Sequence, residues 1–339
     1  MANIAKIADI AGHLPEQFLD NEALAALYPA WPAEKILDKT GIRVRHIAGP
    51  HETAGDLAFA AARKLFAQGK VTAADIDFVI LCTQAPDYVL PTTACILQDR
   101  LGIASSAGAL DVNLGCSGFV YGLSLAKGLV ETGSARCVLL LTADTYSKLI
   151  HPMDKSVRTL FGDGAAATAV VAADGPEPMI GPFVFGSDGG GARHLIVPAG
   201  GFRTPRSDET AREASDASDN VRSANHLYMD GAEVMGFTLR EVPRTVDALL
   251  EKSGLAADAI DYFVMHQANQ FILNALRKKL RVAAERVPIC MQETGNTVSS
   301  TIPLALLEMR AKGLLDTPRR LMLIGFGVGL SWAACVLTF

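Results

Sequence analysis

The sequence has no CxxC pair, no long basic run, and no stretch long and apolar enough to read as a membrane span. Each absence removes a class of function. The six cysteines, at 82, 95, 116, 137, 290 and 335, have no zinc-like spacing, so reduced thiols are expected and no metal or cofactor site is. The opening residues lack a basic segment leading into an apolar core, so no signal peptide is expected and a cytoplasmic protein is. A formal net charge of -5 provides no electrostatic footprint for nucleic acid or an anionic membrane, and neither is an expected partner. Charged residues make up only 20% of the chain, against 50% hydrophobic residues and 30 glycines. That is the composition of a soluble globular enzyme with glycines to spare for close backbone approaches.

What is present is an ordered series of apolar runs. Strands are expected at 76–82, 108–115, 135–144 and 163–173, and helices near 20–38, 53–69, 91–102 and 116–133. The second half repeats the order. VTAADIDFVILCTQAP (71–86) resembles LAADAIDYFVMHQAN (255–269), GCSGFVYGLSLAKGLVETG (115–133) parallels GNTVSSTIPLALLEMRAKG (295–313), and ARCVLLLTAD parallels RRLMLIGFGVG (319–329). Three pairings in one order predict two related α/β halves. The break near 174–182 divides them into 1–174 and 175–339. Strands that are nearly continuous apolar runs are covered on both faces, so two sheets with a shared helical centre are expected. Residues 185–230 are polar and rich in Gly, Ser and Asp, and read as an insertion that is part mobile loop and part cover over a site, or else a tolerated surface excursion.

Cys116 follows a strand-like approach and a glycine and is expected to open a helix. There the helix dipole lowers a thiol pKa and free amides can meet an oxyanion. By itself the position also suits an inert buried cysteine. The repeat supplies partners: Asn296 falls opposite Cys116, and His266 opposite Cys82. Cysteine, histidine and asparagine converging at strand–helix junctions suit thioester chemistry, with a thiolate that forms an acyl-enzyme and neutral donors that hold an enolate oxygen. The other histidines, at 13, 46, 51, 151, 194 and 226, sit in turns or polar segments and read as surface or structural groups.

GCSG around Cys116, HQAN at 266–269 and GNT at 295–297 resemble the active-site motifs of the β-ketoacyl-acyl-carrier-protein synthase III family of the thiolase superfamily. TGIRVRHIA (40–48), FGDGAAA (161–167) and GFGVGLSW (325–332) extend the resemblance over essentially the whole chain. It implies an α/β fold of thiolase-like five-layered αβαβα architecture built from two similar halves, normally a homodimer. It also implies decarboxylative condensation of an acyl primer with malonyl-acyl-carrier protein. Cys116 would be the acylated nucleophile, His266 and Asn296 the enolate-stabilising pair, and the amides of Cys116 and Val328 the oxyanion hole. Phe326 would pack beside the thiolate, and Leu90 would match a residue that reaches across the dimer to limit the acyl pocket.

The chain departs from the family pattern at several points. Val328 stands where the family has glycine, so its side chain would narrow the pocket. Lys35 and Lys155 stand where short-primer relatives clamp adenine with tryptophan and arginine, which leaves open whether the primer arrives on CoA or on acyl-carrier protein. Trp31, one turn from Lys35 if helical, is a possible substitute. Asn269 is expected to be structural or close to the phosphopantetheine path. Phe271 replaces a docking arginine, while Arg277, Lys278 and Lys279 follow as possible carrier contacts or a solvated charge run. A relative that forms an ester or amide without decarboxylation is the alternative. A two-cysteine thiolase is disfavoured because Cys335 lies in an apolar run, and CTQAPD at 82–87 has no obvious glutamate of the kind hydroxymethylglutaryl-CoA synthase uses.

Overall fold

The structure, a computed structural model, describes residues 3–339. An opening strand, β1 (Asn3–His13), is followed by β2 (Phe18–Asp20), α1 (Asn21–Leu27), α2 (Ala33–Thr40) and β3 (Val44–His46), with β2 and β3 antiparallel. The single helix expected near 20–38 is therefore two. In the intervening YPAWP, Pro29 and Pro32 lack the amides that a continuous helix needs. Next come α3 (Ala54–Ala67), β4 (Phe78–Cys82), α4 (Thr93–Arg100), β5 (Gly108–Val112), α5 (Gly118–Glu131), β6 (Cys137–Asp144), α6 (Lys155–Arg158) and β7 (Gly164–Asp174).

The later part of the chain begins with β8 (Ile180–Ser187) and the short strands β9 (Leu195–Ile196), β10 (Ala214–Ser215), β11 (Val221–Arg222) and β12 (Tyr228–Met229). It continues through α7 (Gly231–Ser253), β13 (Tyr262–Met265), α8 (Gln270–Leu280), α9 (Thr301–Ala311), β14 (Arg320–Gly327) and β15 (Ser331–Thr338). The polar excursion is not one loop. Its first residues complete β8, β9 pairs with β12, and β10 pairs with β11. The Val221 and Leu227 amides donate to the Met153 and Leu149 carbonyls at 3.2 and 2.8 Å, tying the excursion to the segment after β6.

One sheet runs β1-β7-β6-β4-β5 and the other β13-β14-β15-β8. In the first, β4 is parallel to β6, which is antiparallel to β7, itself antiparallel to β1. The second repeats this pattern: β13 is parallel to β14, antiparallel partners β15 and β8 follow, and β5 has no counterpart. Helices α5 and α9 touch strands of both sheets, α3 and α4 cover the far face of the first, and α7, carrying α8, covers the far face of the second. The layers are thus α, β, α, β, α. All eight residues of β6 are buried, because helices lie on both of its faces and no solvent side is left for a polar alternation.

Arg45, from TGIRVRHIA, ties β3 to Asn21 and to Thr159, which directly precedes the 160–161 segment that pairs with Asn296. It is fully buried, its Nε and Nη2 donate to the Thr159 carbonyl at 2.9 and 2.5 Å, and its Nη1 donates to Asn21 Oδ1 at 2.5 Å. Burial, with help from neighbouring Arg158, pulls its guanidinium down to about 9. Gly295, in left-handed backbone at φ 70, lies over it, and a Cβ there would come within 3.0 Å of Arg45 Cγ. Arg45→Met would leave buried carbonyls and an amide oxygen unpaired, and should lower stability by about 3 kcal/mol in urea denaturation. An unchanged midpoint would contradict this role.

Candidate active site

Cys116 sits between β5 and α5, two residues before the first helical residue, with Ser117 as the helix cap. It precedes the helix rather than opening it, as the sequence suggested. The turn is tight because glycines leave no side chains in the way. A Cβ on Gly118 would fall 2.1 Å from the Cys82 sulfur, and one on Gly115 would fall 2.5 Å from Gln84 Oε1. Strand β14 then crosses the turn. A Cβ on Gly325 would lie 2.7 Å from Ser117 Cα, and one on Gly327 would lie 2.8 Å from the Cys116 sulfur.

This crossing brings the other candidates in. His266 follows β13, and its amide donates to the Ile324 carbonyl of β14 at 2.8 Å. Asn296 is bridged to Phe161, with its amide on the Leu160 carbonyl at 2.9 Å. Cys116, His266, Asn296, Asn269 and Phe326 line one cavity of about 90 Å³, and no residue lining it is charged. Asn296 Nδ2 lies 3.4 Å from His266 Nε2, and the Phe326 ring stands edge-on to the imidazole with centroids 5.5 Å apart. Val298 has φ 55, costly for a β-branched residue, and its amide donates to Asn296 Oδ1 at 3.0 Å. That bond leaves the carboxamide NH2 facing the histidine.

Burial sets the charge state of every group here. The His266 imidazole is pushed down to about 3, so it is neutral at physiological pH. The Cys116 thiol is pushed up to about 12 by burial and by nearby Asp144, although the Val328 and Cys116 amides, both hydrogen-bonding toward the sulfur, oppose the rise. The expected lowering by a helix dipole is therefore reversed in the free protein, because desolvation of a thiolate outweighs two amide bonds. Asp144 is itself raised to about 7 by burial, and it accepts bonds from the Gln84 amide at 2.8 Å and the Ser299 hydroxyl at 2.5 Å.

Three contributors were not singled out from sequence. Thr301 places its hydroxyl 2.7 Å from His266 Nδ1 and 3.1 Å from the Val298 carbonyl. Asp144 is an acid ending an otherwise apolar strand, which was the available signal. Tyr146 is buried and donates to Gln84 Oε1 at 2.5 Å. Tyr146 and Gln84 belong to a second, open cavity of about 530 Å³ that Val328 and Leu195 also line, and Leu195 borders both cavities. Val328 thus borders the larger space, with Cγ1 packed against Gly115.

Of the remaining candidates, all but Asn269 lie apart from the Cys116 cavity. Leu90 is 80% exposed and lines neither cavity. Lys155 donates to the Ser218 carbonyl of the excursion, and Lys35 donates to the Ala30 carbonyl at 3.0 Å. Trp31 precedes α2, and the Lys35 and Lys39 ammonium groups lie over its ring at 5.3 and 5.6 Å. Asn269 caps α8, accepting from the Ile272 amide at 2.8 Å, while it borders the cavity. Arg277, Lys278 and Lys279 occupy the last turn of α8. Among the described residues, no group of His, Cys, Asp and Glu is placed to hold a metal, and no helix is long and apolar enough to cross a membrane.

Two outcomes follow from this geometry. Gly327→Ala would displace the sulfur from its amides, so alkylation of Cys116 should fall roughly a hundredfold while the circular dichroism spectrum is retained. Wild-type reactivity in that variant would contradict the close approach. In the free wild-type protein, the alkylation rate at Cys116 should keep rising beyond about pH 9, because the thiol is held above its ordinary range. A plateau near neutral pH, measured by peptide mass spectrometry, would contradict it.

Comparison with known proteins gives a consistent picture. A family model for 3-oxoacyl-[acyl-carrier-protein] synthase III matches residues 110–189, and the model for its C-terminal part matches residues 250–339. The chain is 37% identical to the β-ketoacyl-[acyl-carrier-protein] synthase III of Caldanaerobacter subterraneus subsp. tengcongensis, over 98% of this chain and 97% of that protein. A crystal structure of a 3-oxoacyl-(acyl-carrier-protein) synthase III superposes with a TM-score of 0.98 at 69% identity, covering 99% of this chain and 100% of the other. The 3-oxoacyl-(acyl-carrier protein) synthase of Burkholderia xenovorans LB400 superposes at 0.91 and 39% identity, covering 99% and 94%. A full-length match at these identities, on the same five layers, means that the chain belongs to the β-ketoacyl-[acyl-carrier-protein] synthase III family of the thiolase superfamily.

Proposed function

We propose that the protein is an acyltransferase that loads an acyl primer onto Cys116 and condenses it with malonyl-acyl-carrier protein, releasing CO2. The observation that carries this reading is the meeting of Cys116 with a neutral imidazole and a carboxamide in one buried cavity free of charged side chains. In the first step, the Cys116 sulfur bonds the acyl carbon, the incoming thioester's C–S bond breaks, and the thiol proton ends on the departing thiol. The amides of Cys116 and Val328 stabilise the oxyanion.

In the second step, the malonyl carboxylate leaves as CO2 and its electron pair enters an enolate, whose oxygen is held by His266 Nε2 and Asn296 Nδ2. Nε2 carries the proton in the tautomer in which the Thr301 hydroxyl turns from the Val298 carbonyl to donate to Nδ1. Neutral donors suit this step, since a cation would stabilise the carboxylate that has to depart. The enolate carbon then attacks the acyl carbon. Cys116 is expelled as thiolate and takes up a proton, as its raised pKa favours.

We read 1–174 and 175–339 as the duplicated halves, with the site at their junction, and the protein as a cytoplasmic homodimer. The exposed run Tyr88, Val89 and Leu90, at 61, 79 and 80%, supports a partner covering that loop. Engagement of Trp31 by two lysines favours primer delivery on a carrier protein over adenine stacking by CoA. Phe271, which is exposed, together with Arg277 and Lys278, gives α8 the mixed apolar and basic character that an acidic carrier would meet; Lys35, Lys155 and Asn269 would lie along the phosphopantetheine approach.

Purified protein should release CO2 from malonyl-acyl-carrier protein only after Cys116 is acylated. His266→Ala should retain acylation but lose decarboxylation by at least about a hundredfold. Acylation without CO2 release or C–C coupling would instead indicate transfer to an oxygen or nitrogen acceptor.

A further inference from the structure

The larger cavity is unlike the apolar sleeve a saturated acyl chain needs. It adjoins the cavity that holds the reacting sulfur: Leu195 lines both, and Val328, whose amide meets Cys116, forms part of its wall. One side is aliphatic, with Leu149, Leu195 and Leu227. The other carries a hydrogen-bonded chain in which the Tyr146 hydroxyl donates to Gln84 Oε1 at 2.5 Å and Gln84 Nε2 donates to Asn113 Oδ1 at 3.3 Å. The lining also includes Arg206, its one charged residue, and contains no Asp or Glu.

Arg206 forms no ion pair among the described residues. The loop is shaped around it. Gly200, at φ 112, closes a turn by donating to the Thr204 carbonyl at 2.9 Å, and a Cβ there would lie 3.3 Å from Arg206 Nε. A glycine in left-handed backbone thus leaves room for a guanidinium at the cavity wall. A planar fork of donors without a partner is suited to a carboxylate.

We propose that this cavity takes a primer ending in a carboxylate, an ω-carboxyacyl thioester, with Arg206 meeting the distal carboxylate and the Gln84 and Asn113 amides flanking the chain. The proposal rests on the reading of Cys116 as the acylated nucleophile. The covalent step is the same exchange: the sulfur–acyl carbon bond forms, the incoming C–S bond breaks, the proton passes to the departing thiol, and the distal carboxylate is unchanged.

The test is acylation of the full-length protein, followed by intact mass spectrometry, with succinyl, glutaryl and adipoyl thioesters against butyryl, valeryl and hexanoyl thioesters, each on CoA and on carrier protein. For at least one chain length, the carboxyl-ended primer should acylate about tenfold faster than its methyl-ended counterpart, the size expected of one partly solvated charge-assisted contact. Arg206→Gln should bring that ratio close to one, and Arg206→Lys should retain part of it. Faster acylation by methyl-ended primers at every length, or a ratio unaltered by Arg206→Gln, would overturn the proposal while leaving Cys116 as the nucleophile. Failure of every thioester to acylate Cys116 would overturn the nucleophile reading and this inference together.

Discussion

Strand β14 crosses the Cys116 turn with the two backbones in contact, and the site depends on the absence of side chains at Gly325 and Gly327. A Cβ at Gly325 would meet the Ser117 backbone, which has nowhere to move, and one at Gly327 would meet the cysteine itself. Because the crossing is so close, the Val328 amide reaches the sulfur from one sheet while the Cys116 amide reaches it from the other. Strand β13 lies beside β14 in parallel register, so the residue that follows it, His266, is delivered to the same point. Hydrogen bonds between the halves hold the seam: Ser117 to Ser331 at 2.7 Å, Thr142 to Ser300 at 2.9 Å, and Ser299 to Asp144.

The same packing that aligns these groups removes them from water, and desolvation drives each toward its uncharged form. His266 is shifted to about 3, Cys116 to about 12 and Asp144 to about 7. In the proposed reaction, reactivity at Cys116 would accordingly come from preorganised amides that act when charge develops, more than from a resting thiolate. In that reaction, His266 and Asn296 would serve as dipolar donors. Their orientation is fixed by Thr301 on one side and by the left-handed Val298 amide on the other.

Much of this was legible in the residues. The apolar runs gave the strands, and the recurrence of IDFVILC as IDYFVMH paired β4 with β13, so that His266 fell opposite Cys82. The pairing of strand orientations in the two sheets follows that repeat. Other features depend on contacts distant in sequence. The separation of α1 from α2 was signalled by Pro29 and Pro32 but was masked by the helical pattern around them. The raised thiol pKa arises from burial by both halves, which no local stretch encodes, and Thr301 reads as a helix residue until His266 is placed beside it. The excursion looked irregular because its tethers are backbone bonds to residues 149–153, invisible in composition.

The central claim is that an uncharged, buried imidazole works beside Cys116. It is tested most directly by ¹⁵N NMR of histidine-labelled acyl-enzyme, with the His266 signals assigned by their loss in His266→Gln. Both ring nitrogens of His266 should keep the shifts of a neutral imidazole, without titration, from about pH 8 down to about pH 5. A titration midpoint near the ordinary histidine value of about 6.5 would show a solvated, protonatable ring and contradict the account.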